Sequence, residues 1–226
     1  QRWFGDGGHG FVSMGRPWSH YRHMDVLHNP KDGWISYAIT TKPLGDGLYG
    51  LAGIVAENES GGVSTWVETA PKGSLVGTQA SQFELFFIRK ERGGSVDLVL
   101  DGKTVGHVDT RGKPGLGFER VTAQDGPHRF EVVSGKGISR IAGVALERDV
   151  PGFVIDTFGV GSMNTKSLGR HDAEVFKAMM AERKYDLVVF QTGANDITTM
   201  DSVPETMNKV LGWCRAALPR ASFLML

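Results

Sequence analysis

"YDLVVFQTGANDI", residues 185–197, runs an apolar stretch, Leu187 to Phe190, into a glycine and then into two polar residues, Asn195 and Asp196. A short, fully apolar run of this kind reads as a strand of a parallel sheet buried on both faces. Its polar end admits two readings. Asn and Asp are ordinary turn and cap residues, or they place an amide where chemistry occurs. The surroundings of the stretch alternate in the same way. Upstream, "HDAEVFKAMMAERK" puts Val175, Met179 and Met180 on one helical face, and downstream "SVPETMNKVLGWCRAAL" repeats Met207, Val210, Leu211 and Cys214 at helical spacing. Ser202 and Pro204 predict a capped helix start with a first-turn proline. With "GFVIDTFG" and "ASFLML" as further strands, the order strand, helix, strand, helix, strand predicts an α/β arrangement after Pro151.

Before Pro151 the chain has another character, with 25 of its 31 glycines lying there, so a domain boundary is expected near residue 150. Nine stretches alternate or are wholly apolar between turn signals: "WISYAIT", "LYGLAGIVA", "VSTWVET", "FELFFIR", "VDLVL", "TVGHVD", "GFERVTA", "HRFEVVS" and "ISRIAGVALE". They predict a β-sandwich of jelly-roll type. Asp101-Gly102, between two alternating runs, predicts a tight hairpin.

Lys plus Arg and Asp plus Glu are both 25, so there is no net field to draw nucleic acid or an anionic membrane. No apolar run approaches the roughly 18 residues of a membrane helix. The single cysteine, Cys214, excludes an internal disulfide and reads as a small buried apolar residue.

In open parallel sheets, ligands bind beyond the carboxyl ends of strands. Two loops fit that description, "DTFGVGSMNT" at 156–165 and "QTGANDITT" at 191–199, both rich in small residues that let backbone N–H groups approach a ligand. Taken with the N-terminal "RWFGDGGHGFV", they resemble the SGNH (GDSL-type) hydrolases. "DLVVFQTGANDI" is similar to that family's Gly-x-Asn-Asp block, with Gly193, Asn195 and Asp196 in register. "PGFVIDTFGVGSMN" resembles the strand and loop that supply a backbone donor. The resemblance covers about residues 1–30 and 150–226, and within the family it points to two-domain bacterial carbohydrate and peptidoglycan O-acetylesterases.

The resemblance implies an α/β, flavodoxin-like three-layer sheet, present in part, interrupted by an inserted all-β jelly-roll sandwich. Residues 1–30 and 149–226 would belong to the catalytic domain and 31–148 to the insert. It further implies an oxyanion hole built from the Asn195 side-chain amide and a backbone N–H at Gly161 or Ser162, with Asp196 as a supporting residue. An ester carbonyl under attack by a serine gains negative charge on oxygen, and each fixed donor aimed there lowers the barrier by about 3 kcal/mol. The family's Gly-Asp-Ser nucleophile and Asp-x-x-His base do not occur in the chain. By the order of the family's blocks they are expected before Gln1 and after Leu226, and both ends read as cut, so residues 1–226 alone are expected to be inactive. An isolated three-stranded remnant is expected to expose an apolar edge.

The partner implied is an acetylated polysaccharide or peptidoglycan, acted on in the periplasm or outside the cell, with no cofactor and no metal. Competing readings remain at several positions. Ser162 in "GVGS" superficially resembles an esterase elbow, but the Gly-x-Ser-x-Gly pattern fails at Asn164. His20, His23 and His28 cluster without a carboxylate partner beyond Asp25, which favours a solvated loop over a metal site. His9 lies in a glycine loop and His171 precedes a helix. Trp34, Tyr37, Tyr49 and Trp66 are either sugar platforms or sandwich core. The alternative for the whole chain is a noncatalytic carbohydrate-binding protein on a degenerate esterase scaffold.

Overall fold

The computed structural model describes residues 3–16, 18, 26–30 and 33–226, with 27–30 described by backbone alone. By packing, the chain divides into two units, residues 1–37 with 54–157 and residues 38–53 with 158–226.

The first unit is a two-sheet β-sandwich. One sheet contains β1 (Gly8–Ser13), β3 (Ile35–Ala38), β4 (Ile54–Asn58), β6 (Ala80–Arg89), β9 (Gly115–Gly126) and β11 (Ser139–Glu147) in the order β3-β4-β11-β6-β9, with β1 also on β11. The other contains β2 (Leu27–Pro30), β5 (Ser64–Glu68), β7 (Ser95–Leu100), β8 (Lys103–Asp109) and β10 (Arg129–Ser134) in the order β2-β5-β10-β7-β8. Strands β3 to β11 overlap the nine stretches read from patterning. In β5, β7 and β10 every second residue is buried, the period-two signature of a sheet with one face on a core. The Asp101-Gly102 turn joins β7 to β8 with φ of 50° and 80°, the two positive angles of a type I′ hairpin.

One core cluster draws on both sheets, with Val12, Leu85, Phe87, Ile141 and Val144 from the first and Val67, Leu98, Val108 and Val132 from the second. Phe83 of β6 stacks on Phe130 of β10 at 5.5 Å across the sandwich. Trp34 joins the same core and donates its indole N–H to Val63 O at 3.1 Å. Trp66 points away from the core, half-buried beneath the Arg129 guanidinium 4.1 Å from its ring centroid, and Tyr37 is also half-buried. Strand β11 carries a buried ion pair to β4, Arg140 Nε to Glu57 Oε2 at 2.7 Å.

The second unit comprises an arm, residues 38–53, and the chain from 158 onward: α1 (Thr165–Leu168), α2 (Ala173–Arg183), β12 (Leu187–Phe190), a 3-10 turn (Met200–Ser202), α3 (Val203–Ala217) and β13 (Ser222–Met225). Asp172 caps α2, its Oδ1 accepting from the Glu174 and Val175 N–H groups. Val175, Phe176, Met179 and Met180 are buried on α2, and Met207, Val210 and Cys214 on α3. Ser202 stands at the start of α3 but does not cap it. Its hydroxyl donates to Thr199 O at 2.8 Å, and the 3-10 turn leads the chain into the helix. The arm closes on itself through Ile39 N–H to Gly53 O and packs on the helical part: Asp172 N–H donates to Gly47 O, and Leu51 N–H to Met179 Sδ.

The expectation of an α/β chain on a flavodoxin-like three-layer sheet is overturned. The described chain is 40% strand and 16% helix, and in the sandwich β1, β4 and β6 on β11, β9 on β6, β2 and β10 on β5, β10 on β7 and β8 on β7 all pair antiparallel. Strands β12 and β13, four residues each, pair in parallel. "GFVIDTFG" forms no strand: only Phe153 makes an isolated bridge, to Asp6. Val154 lies over Gly7 and Gly10 and Asp156 Oδ1 accepts the Phe11 N–H at 2.7 Å, while Phe153 and Ile155 are exposed.

His128 sits between β9 and β10 with an acceptor at each ring nitrogen, Asp101 Oδ2 on Nδ1 and Gln124 O on Nε2, both at 2.7 Å. Desolvation alone would lower its pKa. The Gln124 carbonyl, the Asp101 carboxylate and the charge of Asp125 outweigh that and raise it. Asp101 is partly desolvated, yet the Arg129 N–H, His128 and the charge of Lys103 hold its carboxyl below the usual range. Because the folded-state pKa of His128 lies above its unfolded value of about 6.5, its stabilisation is fully present below that pH and is lost as pH rises through the folded pKa. His128→Gln therefore lowers the urea midpoint more at about pH 5.5 than at about pH 8.5. Equal differences between parent and variant at both values would contradict this.

Candidate functional site

The candidate site lies in the second unit, where the loop after β12 meets the turn before α1. That turn is closed by Met163 N–H to Val160 O at 3.1 Å. Ser162 takes φ of 62° at its third position, where a side chain costs about 1 kcal/mol relative to glycine. Gly161 and Ser162 are exposed, and among the described residues neither N–H is bonded within the protein.

Across from the turn, Gly193 has φ of 113° with open space where a Cβ would stand, so it is the backbone angle and not crowding that requires glycine. Its carbonyl accepts the Asp196 N–H at 3.0 Å. Asn195 is exposed, and its Nδ2 donates to Met163 O at 3.0 Å. That bond uses one of the two amide hydrogens and leaves the second to point elsewhere.

Asp196 has no solvent exposure. Its Oδ1 accepts the Thr165 N–H at 2.9 Å and the Thr199 hydroxyl at 3.1 Å, and its Oδ2 accepts the Thr165 hydroxyl at 2.8 Å. Asn164 separately caps α1, its Oδ1 taking the N–H and the hydroxyl of Ser167, both at 2.8 Å.

The structure thus ties Asn195 to Met163 and Asp196 to Thr165, in the segment that follows Gly161 and Ser162 in sequence. Sequence reasoning missed Thr165, Thr199 and the Met163 carbonyl. The Asp-x-x-Thr spacing of 196 and 199 was a visible local signal, whereas the Thr165 contact is tertiary and left none. The remaining candidates fall elsewhere. His9 lies in β1. His171 is buried, with Nδ1 2.9 Å from Leu168 O and Nε2 3.3 Å from Gly50 O, and burial holds its pKa below the usual value. Tyr49 packs edge-on to its ring, and the Tyr49 hydroxyl accepts the Leu44 N–H. Burial pushes the Cys214 thiol up to about 11, which removes it as a nucleophile near neutral pH. His20, His23 and Asp25 lie outside the described residues, and His28 is described only as backbone of β2. No group of three His, Cys, Asp or Glu side chains suited to a metal occurs among the described residues. No described helix is long and apolar enough to cross a membrane.

No family model matches the sequence, and no curated protein matches it. Solved structures do. A peptidoglycan O-acetylesterase superposes with a TM-score of 0.70 at 19% identity, covering 97% of this chain and 57% of that one. The chain therefore shares the fold of a little over half of that esterase. A family two carbohydrate esterase from Cellvibrio japonicus matches at TM-score 0.34 and 10% identity, over 88% of this chain and 77% of that one. A carbohydrate-binding module from Clostridium stercorarium, solved with cellobiose, matches at 0.38 and 9%, over 64% and 98%. At those scores neither bears on the fold.

Asp196→Ala leaves the Thr165 N–H and hydroxyl facing a void, leaves the Thr199 hydroxyl only the Asp196 carbonyl at 3.3 Å, and is expected to cost about 3 kcal/mol of stability. Asp196→Asn retains an oxygen for the Thr165 N–H and turns an amide toward a hydroxyl that is able to accept, so its cost is expected near 1 kcal/mol. Chemical denaturation of the two variants measures the difference.

Proposed function

We propose that residues 1–226 are part of an SGNH-type ester hydrolase that removes O-acetyl groups from a carbohydrate or peptidoglycan through an acyl-serine intermediate. The reading is carried by the fold shared with a peptidoglycan O-acetylesterase over 97% of the chain, and Asn195, tied to the carbonyl of Met163 next in sequence to the exposed Gly161 and Ser162, gives it chemistry. In this proposal the nucleophilic serine and the histidine base come from outside residues 1–226. The serine oxygen attacks the acetyl carbonyl and its proton passes to the histidine. The carbonyl oxygen becomes an oxyanion held by the remaining Asn195 amide hydrogen and the backbone N–H at Gly161 or Ser162. Collapse breaks the bond to the sugar oxygen, which leaves with the proton from histidine, and water then hydrolyses the acetyl-serine by the same route in reverse. Asp196 supports the loop and touches no reacting atom. A polymeric cell-wall or extracellular substrate would place the protein in the periplasm or outside the cell.

In the product of the intact gene, assayed on an aryl acetate and on O-acetylated peptidoglycan, Asn195→Ala is expected to lower kcat by about 100-fold or more with KM changed by less than about 3-fold. Ser162→Ala is expected to lower kcat by less than about 5-fold, because a backbone donor survives the change. The chain 1–226 alone is expected to give no turnover above buffer. Loss of all activity in Ser162→Ala would instead make Ser162 the nucleophile. An intact product that binds the polysaccharide without hydrolysing it would leave the noncatalytic reading standing.

A further inference from the structure

The loop after β12 and the turn before α1 are tied twice. One tie is exposed, the Asn195 amide on Met163 O. The other is buried, the Asp196 carboxylate gripped by both the N–H and the hydroxyl of Thr165, which lies 31 residues earlier. An exposed neutral hydrogen bond competes with water and contributes little to fixing a side chain, whereas a buried carboxylate bond between two segments has no such competitor. The Thr165 hydroxyl is not required to start α1, because Asn164 already caps that helix. Its position two residues after Met163, with Asp196 directly following Asn195, makes the buried tie set the spacing of the exposed one. We infer that Thr165 is a positioning residue: through Asp196 its hydroxyl holds the Asn195 amide in place relative to the N–H groups of Gly161 and Ser162, with the Thr199 hydroxyl as the supporting third donor.

The catalytic consequence rests on the esterase reading, while the positioning itself does not. Thr165→Val keeps the side-chain shape and the backbone N–H and removes only the hydroxyl, and Thr165→Ser restores the hydroxyl. In the intact-gene enzyme acting on an aryl acetate, Thr165→Val is expected to lower kcat by about 10- to 100-fold with KM within about 2-fold, and Thr165→Ser to stay within about 3-fold of the parent. In the 15N-labelled chain of residues 1–226, the Asn195 side-chain amide proton bonded to Met163 O is expected to exchange with water about 10-fold faster or more in Thr165→Val, and at the parent rate in Thr165→Ser. An unchanged Asn195 amide in folded Thr165→Val overturns the inference whatever the kinetics show. A parent without esterase activity defeats the esterase reading alone, and the amide measurement still decides the positioning. Should Thr165→Val fail to fold, Thr199→Val against Thr199→Ser makes the same comparison on the third donor, and an unaltered Asn195 amide there likewise overturns the inference.

Discussion

Strand β11 is buried along all of its length but Glu147, so none of its edge groups has water to turn to. Most of the first unit follows from satisfying them. Strand β6 runs along one edge from Arg140 to Glu147. The other edge is shared: β4 pairs with Ser139 to Ile141, and β1 with Gly143 to Glu147. At Gly143 a Cβ would stand 2.3 Å from the Phe11 ring and 2.4 Å from Val12 O, so only glycine lets β1 come this close. Once β1 is seated, Gly5 and Gly7 meet the backbone of Phe153, and Phe11 meets Asp156. A single buried strand thus gathers segments from residue 5 to residue 156.

The second unit is organised around a different demand, the burial of polar groups between the arm and the helices. The arm's carbonyls at Gly47 and Gly50 face Asp172 N–H and the His171 ring. His171 also faces Leu168 O and packs edge-on to Phe176, which in turn contacts Trp213 of α3. A neutral imidazole has one N–H for these two carbonyls, so one contact is a bond and the other only a neighbour. Among the described residues no charged group compensates burial there, which is why the ring's pKa falls where that of His128, with Asp101 and Asp125 beside it, rises.

Much of this was legible. Alternation exposed the strands because the sandwich buries one face of β5, β7 and β10, and helical spacing exposed α2 and α3. The α/β reading failed because apolar runs were equated with parallel strands. In "GFVIDTFG" only Val154 packs on glycines while Phe153 and Ile155 are 52% and 60% exposed, and in β12 Leu187 and Val189 are 55% and 47% exposed where burial on both faces was expected. "LYGLAGIVA" was half right: Ile54 onward is β4, while Leu48 to Gly53 belong to the arm, apolar because they are buried and turning because Gly53 has φ of 65°. In the candidate site, strand-end position alone left Gly193, Asn195 and Asp196 as ordinary turn residues, and it was the family resemblance that singled them out. Thr165 could not be singled out by either, since its role exists only through a contact spanning 31 residues.

Asn195 and Asp196, adjacent in sequence, face opposite conditions, and that opposition gives the site its logic. A donor meant for a ligand must be reachable from solvent, and an amide so placed is weakly held by any exposed partner. Its orientation has to come from groups that water does not reach. Asp196 with Thr165 and Thr199 supplies this from one side. The arm supplies it from another: a methyl at Gly53 would lie 3.2 Å from Met163 Cε, so the residue whose carbonyl receives the Asn195 amide rests beside a segment 110 positions earlier, at a glycine whose φ few other residues adopt. In the proposed site the exposed amide is therefore the visible end of a buried frame, and on that reading the frame is what turns a turn-forming Asn-Asp pair into a fixed donor.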